Sequence, residues 1–195
     1  MRAAHSLVSR LLVGSLAWLA HGCLITSTTD FAAQPKSPPF LNGFSASPPI
    51  DEFVVVATTQ TDPLSFSAQV RAEDEGEPLD AKLVIDAASA QPGLVDFLRL
   101  APGTFNQART ISLSWQPSAA IGGQSVAPGC HTITMIVTHQ YQLDSFLPAD
   151  ASDADQLTWW VLVGSPDDLD YLSTVTFAAA GCPADYPPAV QATSP

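Results

Sequence analysis

Leu64-Ser65-Phe66-Ser67-Ala68-Gln69-Val70-Arg71-Ala72 alternates without a break. Leu64, Phe66, Ala68, Val70 and Ala72 fall on one side, and Ser65, Ser67, Gln69 and Arg71 on the other. Successive side chains of an extended chain point to opposite faces, so this is a strand with one buried face and one wet face. Glu73-Asp74-Glu75-Gly76-Glu77-Pro78 ends it with turn-forming and charged residues.

The same period recurs on both sides of that stretch. Phe53 to Thr58 is rich in valine and follows Pro48-Pro49, and Leu79 to Asp86 puts Leu83 and Ile85 on one face. Thr110 to Trp115 aligns Ile111, Leu113 and Trp115. His131 to His139 sets Ile133, Met135 and Val137 against Thr132, Thr134 and Thr138, with Ile136 interrupting the polar side. Leu157 to Val163 is apolar on both faces, and Ser173 to Ala178 is expected to add a last strand. Only Leu94 to Leu100 has a pattern open to a short helix, one too short to matter to the fold. Seven or so short strands separated by turn signals predict an all-β protein, a β-sandwich. The expected organisation is a signal peptide over 1–22, a Ser/Thr/Pro-rich tether over 23–50, one sandwich domain over 51–182 and a Pro-rich tail over 183–195. Within the tether, Phe40, Leu41 and Phe44 are apolar enough to dock on the domain.

Pro128-Gly129-Cys130-His131-Thr132-Ile133-Thr134-Met135-Ile136-Val137-Thr138 resembles the penultimate strand of bacterial immunoglobulin-like domains of the PKD, cadherin-like and fibronectin type III kind. Val70-Arg71-Ala72-Glu73-Asp74-Glu75-Gly76 is similar to their passage from the second strand into the following loop. The resemblance spans roughly residues 53–164. It implies an immunoglobulin-like β-sandwich of about seven to eight strands and a structural, adhesive or spacer role. It also implies that His131 takes the place of the corner aromatic, packed and hydrogen-bonded. A metal shared by His131 and His139 is disfavoured, because eight residues of strand span about 27 Å. His139 is expected to be a solvated tip.

In such a sandwich the loop carrying Glu73, Asp74, Glu75 and Glu77 shares one end with residues 140–156, which carry Asp144, Asp150, Asp153 and Asp155. Glu73, Asp74, Glu75, Asp150, Asp153 and Asp155 are therefore candidate calcium ligands, since Ca²⁺ takes six to eight oxygens. Asp150-Ala-Ser-Asp153-Ala-Asp155 lacks the glycine and terminal Glu of an EF-hand loop, and the bland reading is a solvated acidic rim. Asp167-Asp168-Leu169-Asp170 reads as an exposed turn, as does Gly122-Gly123-Gln124-Ser125.

The N-terminus gives the address. Arg2 and Arg10 precede an apolar run, Leu11 to Ala20, that ends in Ala20-His21-Gly22-Cys23. A basic start, a short apolar core and small residues before a cut make a secretory signal. The run is shorter than a membrane span requires. Gly22-Cys23 resembles the end of a bacterial lipoprotein signal, which implies lipidation of Cys23. Ala20 and His21 depart from the usual pattern, and plain cleavage before Cys23 is the alternative. An exported protein with Cys23, Cys130 and Cys182 has one thiol left over. Acylation of Cys23 leaves Cys130 and Cys182 as a disulfide pair in an oxidising compartment, worth about 4 kcal/mol in the chain-entropy model. Two reduced structural cysteines are the alternative.

Loss of residues 1–22 removes two arginines and no acid, taking the net charge from −12 to −14. Such a surface repels phosphate backbones and anionic headgroups, which argues against nucleic-acid binding and leaves the N-terminal lipid as the route to a membrane. No Gly-x-Ser-x-Gly, His-Glu-x-x-His or phosphate-binding glycine loop is present. No catalytic residue and no cofactor other than calcium is indicated. The reading is a non-enzymatic cell-envelope lipoprotein of the outer membrane, facing the periplasm or the cell surface. Trp115, Trp159 and Trp160 keep a carbohydrate-binding module open, and an accessory subunit of an envelope complex is the other alternative.

Overall fold

The computed structural model describes residues 36–121 and 125–164. These form eight strands: β1 (Phe40–Ser47), β2 (Phe53–Ala57), β3 (Leu64–Arg71), β4 (Leu79–Ile85), β5 (Gly93–Leu100), β6 (Arg109–Trp115), β7 (Gly129–Thr138) and β8 (Ala154–Gly164). One sheet has the order β1-β3-β6 and the other β2-β8-β7-β4-β5. All pairings are antiparallel except β2 with β8, which runs parallel. The chain changes sheet at every step from β1 to β4, again between β5 and β6, and again between β6 and β7. That is the exchange of strands between two facing sheets that defines an immunoglobulin-like sandwich.

The alternation in Leu64–Ala72 works as its sequence predicts. Phe66, Ala68 and Val70 are buried, while Ser65, Gln69 and Arg71 face water. They meet Ile111, Leu113 and Trp115 of β6 and the inward rows of the other sheet: Leu79, Leu83, Ile133, Met135, Trp159 and Val161. Phe66 and Trp159 pack edge to face with ring centroids 5.2 Å apart. The Trp159 indole is fully buried, and its Nε1–H donates to the carbonyl of Pro48 at 2.6 Å.

Two expectations are corrected. Leu94–Leu100 is not a helix. It lies within β5 and pairs with β4, from Leu79 opposite Leu100 to Ile85 opposite Gly93. Seven residues are too few to hold a helix without caps, whereas a hairpin partner satisfies their backbone at once. The tether reading fails over Phe40–Ser47, which is β1. Leu41 is 4% exposed within the core and opposes Val70 of β3.

Both sheets have edges. β6 is an edge strand, and Asp96 of β5 reaches it, accepting from the Ser114 amide at 2.8 Å and the Ser114 hydroxyl at 3.3 Å. A carboxylate on that donor blocks one site at which another strand would pair.

Residues 1–35, 122–124 and 165–195 lie outside the described residues. The signal segment, Cys23, Gly122–Gln124, the acidic turn at Asp167–Asp170, the strand expected at Ser173–Ala178, Cys182 and the tail fall there.

Candidate functional site

Strand β7 carries a histidine at its start and another just beyond its end, and both are buried. His131 is 4% exposed. Its Nε2 lies 2.8 Å from the carbonyl of Ala127, four residues upstream, and its Nδ1 lies 2.7 Å from Asp86 Oδ2. Both partners are acceptors, so both ring nitrogens must carry protons for both bonds to form. The second oxygen of Asp86 accepts from the Thr132 amide at 3.0 Å. Asp86 ends β4 in the left-handed conformation, with φ 50°, and its own amide donates to Thr132 O at 2.8 Å. Burial disfavours the charged ring, but the Asp86 bond, the Ala127 bond and the Asp86 charge together outweigh it and raise the pKa of His131. The side chain thus does what the corner aromatic does, tying the strand back to the chain that leads into it.

His139 is not the solvated tip its sequence predicts. Its side chain is 1% exposed. The loop after β3 and the segment before β8 converge on it. Its Nδ1 is 2.6 Å from Asp153 Oδ1, and its Nε2 is 3.5 Å from Asp74 Oδ2 without a hydrogen bond. The Thr138 hydroxyl donates to Asp153 O at 2.6 Å, which fixes the same segment to the end of β7. In the loop that carries Asp74, Gly76 has φ 80° and donates to Gly103 O, a conformation a side chain would strain.

The six candidate calcium ligands are divided among separate tasks. Asp74 and Asp153 flank His139. Asp155 crosses between the sheets to accept from the Leu41 amide at 2.7 Å. The Ser152 hydroxyl and amide cap Asp150 and hold its carboxyl below the usual carboxylate range. Glu73 accepts from the Ser37 hydroxyl, and Glu75 is exposed. Among the described residues no group of three or more His, Cys, Asp or Glu is disposed to hold a metal ion.

The segment 140–153 also carries residues that the sequence reading passed over. The Tyr141 hydroxyl donates to Ile136 O at 2.6 Å, and burial raises its pKa. Lys82 stands 4.0 Å from the centre of that ring and donates to Ser145 O at 2.8 Å. This cation and ring lay the segment across the outer face of the sheet. The signal was an aromatic three residues beyond the strand opposite a lone lysine, and pairing the two needs the β4–β7 register. Trp115 and Trp159 are buried in the core and present no face to a sugar; Trp160 is half-buried. A cleft of about 530 Å³ between the start of β1 and the end of β3 is lined by Phe40, Asn42, Arg71 and Asn106.

No family model matches the sequence, and no curated protein matches it. Several solved structures are similar in part, two of them as follows. One is a CARDB domain from Pyrococcus furiosus, solved in complex with di-metal ions, at 12% identity and TM-score 0.37, over 65% of this chain and 90% of that one. The other is AggA, the major subunit of aggregative adherence fimbriae type I from Escherichia coli, at 15% identity and TM-score 0.35, over 65% of this chain and 95% of that one. The strand order of the two sheets, rather than either likeness, makes this chain an all-β immunoglobulin-like sandwich.

Proposed function

We propose that the protein is an exported, lipid-anchored module of a bacterial cell envelope with a structural or interaction role and no catalytic site. One observation carries this reading. The buried histidines and their carboxylates serve as fasteners: His131 with Asp86 and Ala127, His139 with Asp153. Polar groups that hold strand ends are what a structural or spacer domain needs, whereas a reaction needs such groups converging on a cleft. The anchor is placed at Cys23, in the outer membrane facing the periplasm or the cell surface. It is supported by Gly22-Cys23 at the end of the signal-like segment and by an acidity that gives the domain no affinity for lipid headgroups. The pairing of Cys130 with Cys182 is supported by the burial of Cys130, 6% exposed beside Leu162.

Intact mass of the mature protein extracted from membranes tests the anchor. The expected mass exceeds that of residues 23–195 by the acyl chains, and Cys23→Ser should release an unprocessed or soluble form. A bare polypeptide mass overturns it.

A second reading, an accessory subunit that docks on a protein partner, is favoured by the free side of β5, where Leu94 is 40% and Phe97 68% exposed. Phe97→Asp should leave the melting temperature unchanged and abolish any such association on the cell. A destabilised fold would show instead that Phe97 serves packing.

A further inference from the structure

Beyond Arg2 and Arg10, the chain has five Lys and Arg side chains to set against 19 Asp and Glu. The structure describes all five, and four are engaged. Lys36 pairs with Glu77 and Arg99 with Asp80. Lys82 binds Ser145 O and the Tyr141 ring, and Arg109 donates to Ala101 O. Among the described residues, the Arg71 guanidinium has no hydrogen bond and no ion pair. An exposed cation that holds no acid, on a chain so rich in acids, is left to meet an anion from outside.

The surroundings of Arg71 favour such a meeting. Arg71 ends β3 on the outward side of the three-stranded sheet, and β1, β3 and β6 contain no Asp or Glu. Hydroxyls and amides stand outward there instead, among them Ser65, Ser67 and Gln69 of β3 and Thr110 and Ser112 of β6. Asp96 reaches this sheet only at Ser114, toward the opposite end of β3 from Arg71. Arg71 itself lines the cleft of about 530 Å³, the size of a small-ligand site. Phe40 stands directly opposite it in the β1–β3 register and is 60% exposed. Asn42 is the next outward residue of β1; its Oδ1 accepts from the Phe44 amide, which leaves its amide nitrogen to donate. Asn106 sits in the left-handed conformation with φ 53°, held by its backbone amide's bond to Ala72 O at 2.8 Å. The cleft also includes Glu73, whose carboxylate accepts from the Ser37 hydroxyl.

We propose that this cleft binds a carboxylated glycan, with Arg71 on the carboxylate, the Phe40 ring against a sugar ring and the Asn42 and Asn106 amides on hydroxyls. The guanidinium fork matches a carboxylate in shape and charge. An aromatic face is the negative end of its quadrupole and attracts the C–H groups on the apolar side of a sugar. The uncharged face of the sheet lets an anionic chain run on from the cleft without meeting carboxylates. Trp115 and Trp159, buried in the core, offer a sugar nothing; the glycan site lies on β1 and β3 instead. This inference rests on the interaction role proposed above and not on the lipid anchor.

Isothermal titration of the full mature chain in detergent with trigalacturonate tests it. The expected Kd is about 1 mM or tighter, and no binding at about 10 mM overturns the site. Maltotriose, which lacks the carboxylates, should bind at least about tenfold more weakly. Equal binding of the two overturns the part given to Arg71. Triglutamate, which has carboxylates but no sugar, should also bind at least about tenfold more weakly; equal binding overturns the glycan and assigns the cleft to acidic peptides. Arg71→Gln should weaken trigalacturonate binding at least about tenfold at an unchanged melting temperature, because the guanidinium holds nothing in the fold. Arg99→Gln removes an exposed cation from the other sheet and should leave the affinity unchanged. An equal loss in both variants would mean attraction by overall charge and overturns the site. Intact mass reads the anchor separately, so a failure to bind removes the glycan and leaves the anchor standing.

Discussion

The two ends of β7 solve one problem with the same residue type and arrive at different chemistry. At the start, both nitrogens of His131 have close acceptors, at 2.7 and 2.8 Å. At the end, His139 has one, Asp153 at 2.6 Å, and its other nitrogen faces Asp74 across 3.5 Å with neither atom hydrogen-bonded. Both ring nitrogens of His131 are therefore bonded, whereas only one of His139's is. A buried polar atom without a partner costs more than a typical bond contributes. The first end is thus a completed fastening and the second an incomplete one, and substitutions at the carboxylates should separate them.

The largest effect is expected at Asp153. Removing it by Asp153→Ala strips His139 of its only hydrogen bond while the ring stays buried, at a cost of about 3 kcal/mol. Urea unfolding of the soluble domain reads this as a lower midpoint at unchanged slope. A loss no larger than that of an exposed aspartate with ordinary backbone, such as Asp62→Ala, would show that the ring finds water once Asp153 is gone.

Asp86→Asn comes next, at about 2 kcal/mol, because the amide keeps the shape and one acceptor but loses the charge that assists the His131 bond. It should also change the pH dependence. The folded pKa of His131 is raised above its unfolded value. Its contribution is complete below the ordinary histidine value of about 6.5 and is lost as pH rises through the folded value. Stability of the parent protein should fall over that alkaline-going window, and His131→Tyr, which can keep the upstream bond but has no imidazole to titrate, should remove that share of the slope. An unchanged slope in His131→Tyr would assign the pH dependence elsewhere.

How much of this was legible depended on the range of each interaction. The strand alternation at Leu64–Ala72 and Thr110–Trp115 is local and appears in the structure at the same residues. His131 was readable as a corner residue because its upstream partner lies four residues away and the surrounding Pro-Gly-x-His pattern is a strand-entry pattern. Asp86, its other partner, is forty-five residues away and reaches it only through the β4–β7 pairing. His139 was misread for the same reason. On sequence it ends a strand and precedes a polar stretch, and its burial comes from Asp74 and Asp153 on two loops that meet only once the sandwich closes. The convergence of those loops was foreseen from the fold class, but the histidine between them was not. β5 was missed because Leu94–Leu100, with Asp96 and Arg99 interrupting, has no clean period of two; opposite Leu83 and Val84 of its partner the register shifts, leaving Val95 as an extra residue in β5.

Asp74→Asn sharpens the comparison in the opposite direction. The amide nitrogen of an asparagine at that position can donate to Nε2 of a neutral His139, completing at this end what His131 has at the other. The expected outcome is a gain of about 1 kcal/mol, measured as a higher urea midpoint. A loss instead would mean that the carboxylate charge of Asp74 favours a protonated His139, making the two ends alike.

The smallest effect belongs to Ser152, at the outer rim of the His139 end. Its hydroxyl and amide both bind Asp150 Oδ1, at 2.7 and 2.9 Å, in full contact with water. Solvent screening makes such a bond nearly irrelevant to the fold, although it still biases the carboxylate toward its charged form. Ser152→Ala should therefore raise the pKa of Asp150 toward the ordinary aspartate range, seen in a carboxyl NMR titration, with no measurable change in the urea midpoint. A drop in midpoint would mean that this cap sets the path of residues 150–153 and so the placement of Asp153 against His139, extending the fastening at that end of β7 from one buried bond to the turn that delivers it.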